Sequence, residues 1–323
     1  MKKILLFTLP LLAMCFASCE KDNGNNGEDE LSGDDIIQFK DPNFLKALLV
    51  VQEIEIYDAE TNDYVPYTMD VDKNKDGQIT VNEAKDVKGV YLYDEENDKS
   101  FDITDMSEIR YFTSLEYLYC SDIQLTSLDV SNNMALINLN CNGNQLTSLD
   151  VSKNTALTIL WCDNNQLTTL DVSNNSALED LICEYNQLTT LNVSNNTALT
   201  RLRCIGNQLT SLDISKNTAL TELWCDNNQL TTLDVSKNTA LIWLSCRNNQ
   251  LTTLDLSKNT ALTKLWCDNN QLTLLNICNN TALTELMCYE NPLVTLTISN
   301  SQQNAGWMNK VIEWYPNLEI IVK

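Results

Sequence analysis

From residue 115 onward, apolar and polar positions along this chain return every 21 residues. The stretch from Leu146 reads LTSLDVSKNTALTILWCDNNQ, and the one from Leu230 reads LTTLDVSKNTALIWLSCRNNQ. Cysteines at 120, 141, 162, 183, 204, 225, 246, 267 and 288 keep the interval without a slip. Written from its strand, the unit is L-x-x-L-x-C-x-x-N-Q-L-T-x-L-D-V-S-x-N-T-A. Side chains alternate faces along a strand, so Leu220, Leu223 and Cys225 are expected to point inward from one short strand. Leu230, Leu233 and Val235 then fill the core from the return path. Asn228 falls where the chain turns, where its amide can satisfy backbone groups unpaired by the bend. Stacking predicts one asparagine ladder there and a second from Asn217, Asn238 and Asn259. One unit cannot bury its apolar face alone, but nine share a continuous core.

The unit matches the leucine-rich-repeat signature, with cysteine at the second inward strand position. A 21-residue repeat with such a cysteine ladder resembles internalins and related bacterial leucine-rich-repeat proteins. The resemblance covers about residues 115–299. It implies a repeat solenoid of the α/β class, strand-dominated, with a curved parallel sheet of about nine repeats over residues 115–300. It also implies a surface protein whose concave sheet engages a partner, often a host protein.

Ladder cysteines on adjacent parallel strands point the same way, a poor geometry for the S–S dihedral. The 21-residue spacing is also unlike a zinc pattern. Buried free thiols acting as small apolar fillers are therefore expected. Cys278 stands where other units have serine and is expected to be partly exposed.

A solenoid exposes its core at both ends, so caps are predicted at residues 41–114 and 301–323. At the far end, residues 302–315 read as an amphipathic helix burying Trp307, Met308, Val311, Ile312 and Trp314. Pro316 stops it, and residues 318–322 add a last strand. At the near end, Asp41-Pro42 opens a helix expected to run to Ile54. Residues 72–83, DKNKDGQITVNE, then fit the EF-hand loop at every defined position. Asp72, Asn74 and Asp76 would offer side-chain oxygens to a calcium ion and Gln78 its backbone carbonyl. Thr80 would add a direct or water-mediated contact, and Glu83 would close the shell with both oxygens. Gly77 permits the sharp turn, and Pro66 leaves room for only a short incoming helix. The alternative is a polar turn that binds no ion.

The two outward positions of each strand flank the inward leucine. Across nine units they hold Tyr117, Tyr119, Trp161, Trp224, Trp243 and Trp266, including four of the chain's six tryptophans. Strands lie about 4.8 Å apart, so Trp224, Trp243 and Trp266 are expected to cluster. Arg201 and Arg203 occupy the preceding strand. Aromatic and arginine clusters are the usual composition of binding hot spots, although strand propensity also favours aromatics.

Two features at the beginning change the picture. Lys2 and Lys3 precede an apolar run at residues 4–17, too short for a membrane span and interrupted by Pro10, as in a secretory signal peptide of residues 1–18. It ends Phe16-Ala17-Ser18-Cys19, which resembles a bacterial lipobox and implies lipid attachment at Cys19. Residues 19–40 begin with a dense acidic, nearly aromatic-free stretch that reads as a flexible tether. Acidic residues after such a cysteine resemble the export signal of surface lipoproteins in Bacteroidota, implying an outer-membrane, surface-exposed protein whose only membrane contact is the lipid.

Formal charge is −23, and the chain has no histidine. The acid excess opposes nucleic-acid binding. Lack of histidine removes the commonest general base and most catalytic zinc sites. Carboxylates such as Glu222 and Asp226 could still pair as acid and base, but an open repeat surface offers no enclosed pocket. The sequence thus reads as a non-enzymatic, calcium-holding surface lipoprotein that binds a protein partner, of host or envelope, on its concave face. A carbohydrate ligand is the alternative, because tryptophan faces stack on sugar rings.

Overall fold

The computed structural model describes residues 31–50, 52–58, 63–94 and 99–323. The expected leader, Cys19 and most of the acidic tether lie outside them. One compact unit spans Ser32–Lys323.

The near-end cap begins earlier than composition suggests. Residues 33–37, assigned above to the tether, are tied down by hydrogen bonds from Asn82 N to Gly33 O, Val81 N to Asp35 O and Ile37 N to Ile79 O, of 2.9–3.0 Å. The reason is a small apolar anchor behind the charges: Ile37 is 3% exposed, and Phe39 sits edge-on to Phe44 at 5.4 Å. Helix α1 (Pro42–Leu48) is capped by the Asp41 side chain, as expected, but it stops well short of Ile54. The alternating segment after it instead forms a hairpin, β1 (Gln52–Asp58) with β2 (Asp63–Met69), and Pro66 lies within β2. A strand rather than a short helix therefore leads into the acidic loop. Beyond the loop come α2 (Val81–Lys85), β3 (Gly89–Tyr91) and a small antiparallel pair, β4 (Tyr93–Asp94) with β5 (Lys99–Ser100).

The repeats supply β6 (Tyr117–Tyr119), β7 (Asn138–Asn140), β8 (Ile159–Trp161), β9 (Asp180–Ile182), β10 (Arg201–Arg203) and β11 (Glu222–Trp224). They continue with β12 (Trp243–Ser245) and β13 (Lys264–Trp266). Next come β14 (Leu274–Asn276), on the return path, and β15 (Glu285–Met287). The nine repeat strands and β3 form one ten-stranded parallel sheet. Pairing is in strict repeat register, with Leu202 opposite Leu223 and Leu223 opposite Leu244. Strand β3 is an extra rung without a cysteine, and the 21-residue pattern does not reveal it.

Inside, Leu220, Leu223, Cys225, Leu230 and Val235 are fully buried, and their counterparts repeat this from coil to coil. All nine ladder cysteines are buried and unbridged. Burial pushes the thiols of Cys141, Cys183 and Cys288 up to about 12. Thiolate is the reactive form, so the ladder should be inert toward a disulfide reagent in the folded protein. Among the described cysteines, only half-buried Cys278 is expected to label at once at pH 8. Prompt reaction of several described cysteines would contradict the packing.

Both asparagine ladders are present. Asn228 donates to the carbonyls of Cys204, Cys225 and Asp226 at 3.0–3.1 Å and accepts from Leu209 N at 3.0 Å. Asn217 donates to the carbonyls of Val193 and Asn196 at 2.9 and 2.8 Å. A third regularity escaped the pattern. The residue two places after each ladder cysteine, from Asp122 through Asn227 to Glu290, has φ between 48° and 66°. Side chains resist this left-handed region, asparagine, aspartate and glycine least. That is why seven of the nine units carry asparagine, aspartate or glycine there, Tyr185 and Glu290 being the exceptions.

At the far end, β16 (Thr295–Ile298) pairs with β14 and with β17 (Glu319–Val322), which supplies the expected last strand. Helix α3 spans only Met308–Trp314, so the predicted 302–315 helix is too long. Gln302 is diverted: its amide donates to Asn280 O at 2.9 Å and so ends one asparagine ladder. Tyr315 ends the other, donating to Cys288 O at 2.7 Å and accepting from Asn291 N at 3.0 Å. Trp307, Met308 and Val311 enter the core as expected, but Ile312 is 47% exposed. Trp314 is half-buried and packs against Tyr289.

Candidate functional site on the outer face of the sheet

The side chains flanking each inward leucine make up the outer face, and its centre is aromatic. Trp224, Trp243 and Trp266 touch one another, with ring centroids 4.5, 5.1 and 6.3 Å apart. Trp224 and Trp266 belong to the second outward column, whose member between them is Ser245. That serine leaves the space into which Trp243 leans from the first column. Ser245 is fully buried, and its hydroxyl donates to Asp226 Oδ1 at 2.6 Å.

Three cations dress this nest. The Arg203 guanidinium lies 3.8 Å from the Trp224 ring centre, the Lys264 ammonium 4.1 Å from Trp243, and the Arg247 guanidinium 5.3 Å from Trp266. Each such contact is worth about 0.5–2 kcal/mol according to its exposure. The chain has only four arginines, and three of them (Arg201, Arg203 and Arg247) lie on or beside this face. Arg247 also bonds Asp268 Oδ2 at 3.0 Å and Tyr289 OH at 3.1 Å, which carries the patch toward Trp314 of the cap. Burial opposes the Arg247 charge, but those two bonds hold its pKa above the usual value.

Of the other expected residues, Trp161 and Arg201 are joined through one carboxylate. Trp161 Nε1 and Arg201 both donate to Asp180 Oδ2, at 3.1 and 2.9 Å, and Arg201 also approaches Glu222 at 3.6 Å. Burial raises the Asp180 carboxyl above its ordinary value despite Arg201 beside it. Tyr117 and Tyr119 are not part of the nest. They lie at the other end of the sheet, where Tyr119 stacks on Tyr91 of β3 with centroids 4.5 Å apart and planes within 12°. Lys264, Ser245, Glu285 and Tyr91 went unread in the sequence. Glu285 accepts from Trp266 Nε1 at 2.9 Å. A lysine or serine at a variable position carries no signal until register shows which indole it meets.

The two carboxylates that could have paired as acid and base are committed elsewhere. Glu222 faces Arg201, while Asp226 accepts from Ser245 and, at 2.7 Å, from Arg247 N. Burial raises the Asp226 carboxyl, and these bonds oppose the rise.

In the acidic loop, Lys75 and Gly77 are left-handed, with φ of 62° and 80°. Asp72 accepts from Asp76 N and Gly77 N, Asn74 from Asp76 N, and Asp76 from Gln78 N. Glu83 reaches back across the loop, with Oε1 on Lys73 N and Asn74 N and Oε2 on Thr80. Thr80 caps α2 in turn. The donor set is all oxygen, as a hard cation requires. However, the side chains are spent on loop amides, and among the described residues no three acidic or thiol groups converge as a metal cage.

Ten parallel rungs at a 21-residue interval, two asparagine ladders and a buried cysteine ladder decide the fold. It is a leucine-rich-repeat solenoid. The family profile for paired leucine-rich repeats matches residues 197–238. Among solved structures, the functional domain of InlJ from Listeria monocytogenes, described as including a cysteine ladder, is 35% identical. That match has a TM-score of 0.65 and covers 76% of this chain and 55% of that one. A leucine-rich-repeat protein of Leptospira interrogans is 26% identical, with a TM-score of 0.61 and coverage of 74% and 62%. The chain thus spans less than two thirds of either relative. The internalin InlF of Listeria monocytogenes, 21% identical over 88% of this chain and 91% of that one, shares the fold with a TM-score of 0.56. No curated protein sequence matches the chain. Leucine-rich repeats typically mediate protein interaction.

Proposed function

We propose that this leucine-rich-repeat protein is a non-enzymatic, lipid-anchored surface protein that binds a protein partner through Trp224, Trp243, Trp266 and the arginines around them. The observation that carries this reading is the nest itself: three indoles in mutual contact on an open sheet face, ringed by Arg203, Arg247 and Lys264. Such composition is typical of hot spots at protein interfaces.

The carbohydrate alternative is less well supported. Sugar stacking needs a flat, free aromatic face, yet the three ring planes are inclined by 55°, 44° and 81°. Arg203 and Lys264 also cover the Trp224 and Trp243 faces. Tryptophan fluorescence, titrated with oligosaccharides and with candidate protein fractions, separates the readings. A saturable change with an oligosaccharide and none with protein would overturn the assignment.

The anchor at Cys19 and export to the outer surface rest on the leader and the acidic residues after it. Calcium is proposed as a structural ion held by Asp72, Asn74, Asp76, Gln78, Thr80 and Glu83, with Glu83 released from the loop amides to close the shell. Its role is to rigidify a cap onto which residues 33–37 already fold. With a dissociation constant near 10⁻⁴ M, as in extracellular modules, about 1 mM calcium contributes roughly 1.4 kcal/mol. Chelation with EDTA should then lower the melting temperature by about 3 °C; an unchanged melt would remove the structural role.

A further inference from the structure

The proposed protein-binding reading leaves open what chemistry the partner brings, and the centre of the nest bears on it. Arg201 and Arg247 have carboxylate partners within the chain. Among the described residues, Arg203 and Lys264 form no ion pair; both rest on indole faces instead. Arg203 is near enough to Glu184 and Asp180 to favour their charged forms, but in a chain of net charge −23 two cations on one face without a direct ion pair are conspicuous. They bracket Trp224 and Trp243, so the row Arg203, Trp224, Trp243, Lys264 crosses four consecutive strands, β10 to β13.

Hydrogen-bond donors point the same way. Arg203 Nε, Trp224 Nε1 and Trp243 Nε1 are covered from solvent and have no acceptor. A covered donor without an acceptor costs about as much as a lost hydrogen bond, and three adjacent ones mark where an acceptor belongs. Trp161 and Trp266, on either side, already donate to Asp180 and Glu285. The chain has thus given a carboxylate to each outer tryptophan and none to the inner pair.

Resting on this protein-binding reading, we propose that the partner is an acidic protein segment that sets a glutamate or aspartate carboxylate between Arg203 and Lys264, over Trp224 and Trp243. On binding, the two long side chains swing from the indole faces to the incoming carboxylate. The uncovered rings then receive the apolar residues beside it. A carboxylate accepts from both cations at once, whereas a neutral amide or hydroxyl forms neither ion pair. Unpaired oxygens of Asp180 and Asp268 at the flanks repel further acid, which favours one acidic position over a polyanion.

The test measures fluorescence anisotropy of three labelled peptides with the purified protein. The peptides are leucine-rich and identical except at one central position, which is glutamate, glutamine or lysine; unlabelled maltohexaose is titrated in parallel by tryptophan quenching. The glutamate peptide is expected to bind at least tenfold tighter than the glutamine peptide, and the lysine peptide weakest. The doubly substituted Arg203→Gln/Lys264→Gln protein, melting as the parent does, should lose that preference while keeping residual binding of the glutamine peptide. Equal binding of glutamate and glutamine peptides overturns the acidic-segment inference and leaves the protein-binding reading intact. Saturable quenching by maltohexaose with no peptide bound overturns both. Binding of no probe at all overturns the inference.

Discussion

Replacing Asn228 with alanine is expected to destabilise the solenoid by about 4 kcal/mol. The side chain is nearly buried, and one amide serves four backbone groups: the carbonyls of Cys204, Cys225 and Asp226, and the N–H of Leu209. Alanine leaves Leu209 N without a partner where water has little access, and takes one of two hydrogen bonds from each carbonyl, which keep Asn207, Asn249 and Gly206 N as donors. An orphaned donor costs roughly 1–3 kcal/mol and each lost hydrogen bond about 0.5–1.5 kcal/mol, and a domain has only about 5–15 kcal/mol in total. Asn217 is the internal comparison. It is fully buried but serves two carbonyls, so Asn217→Ala should cost about half as much. Urea unfolding of both variants checks the ordering. Equal losses would mean that the ladders hold the chain by packing rather than by hydrogen bonding. Aspartate at 228 should also fail, because a carboxylate accepts from Leu209 N but has no donor for the three carbonyls.

The same ladders explain how far the sequence could be read. A feature repeated nine times is averaged by the chain itself, so Leu223, Cys225, Asn217 and Asn228 all sit where the repeat placed them. The caps occur once each, and there local pattern misled. Ile54 looked helical because it follows a capped helix at Asp41, but the alternation around it forms a strand. Residues 33–37 looked like tether because acidic composition outweighed two isoleucines, one of which is buried. Gln302 was read into a helix, although its amide is needed to end a ladder. In the site, outward position revealed which tryptophans share a face, but not how they lean. Trp243 fills the gap above Ser245, and Lys264 covers Trp243, because of the sizes of cross-strand neighbours. That information is pairwise between repeats, and a one-dimensional pattern does not carry it.

Substituting alanine for both Trp224 and Trp266 is expected to weaken partner binding by at least a hundredfold while the protein still folds. Hot-spot tryptophans cost about 2 kcal/mol or more each on truncation, and these two frame the nest. Folding survives because the substitutions remove contacts above the sheet and none beneath it. Leu223, Cys225, Leu265 and Cys267 remain buried in the same rungs, and the asparagine ladders are untouched. The stability lost is that of the ring contacts, about 0.5–1.5 kcal/mol per aromatic pair. Trp161→Ala supplies the contrast. Its indole is committed to Asp180 and has no contact with the nest, so that variant should bind within about tenfold of the parent. The readout is capture of the partner on immobilised protein, beside a thermal melt of each variant. If the double variant bound normally, the tryptophans would be strand filler and the site would lie elsewhere. If Trp161→Ala were as damaging, the footprint would extend along the Asp180–Arg201–Glu222 chain, and the partner would also contact β9 and β8 toward the near-end cap.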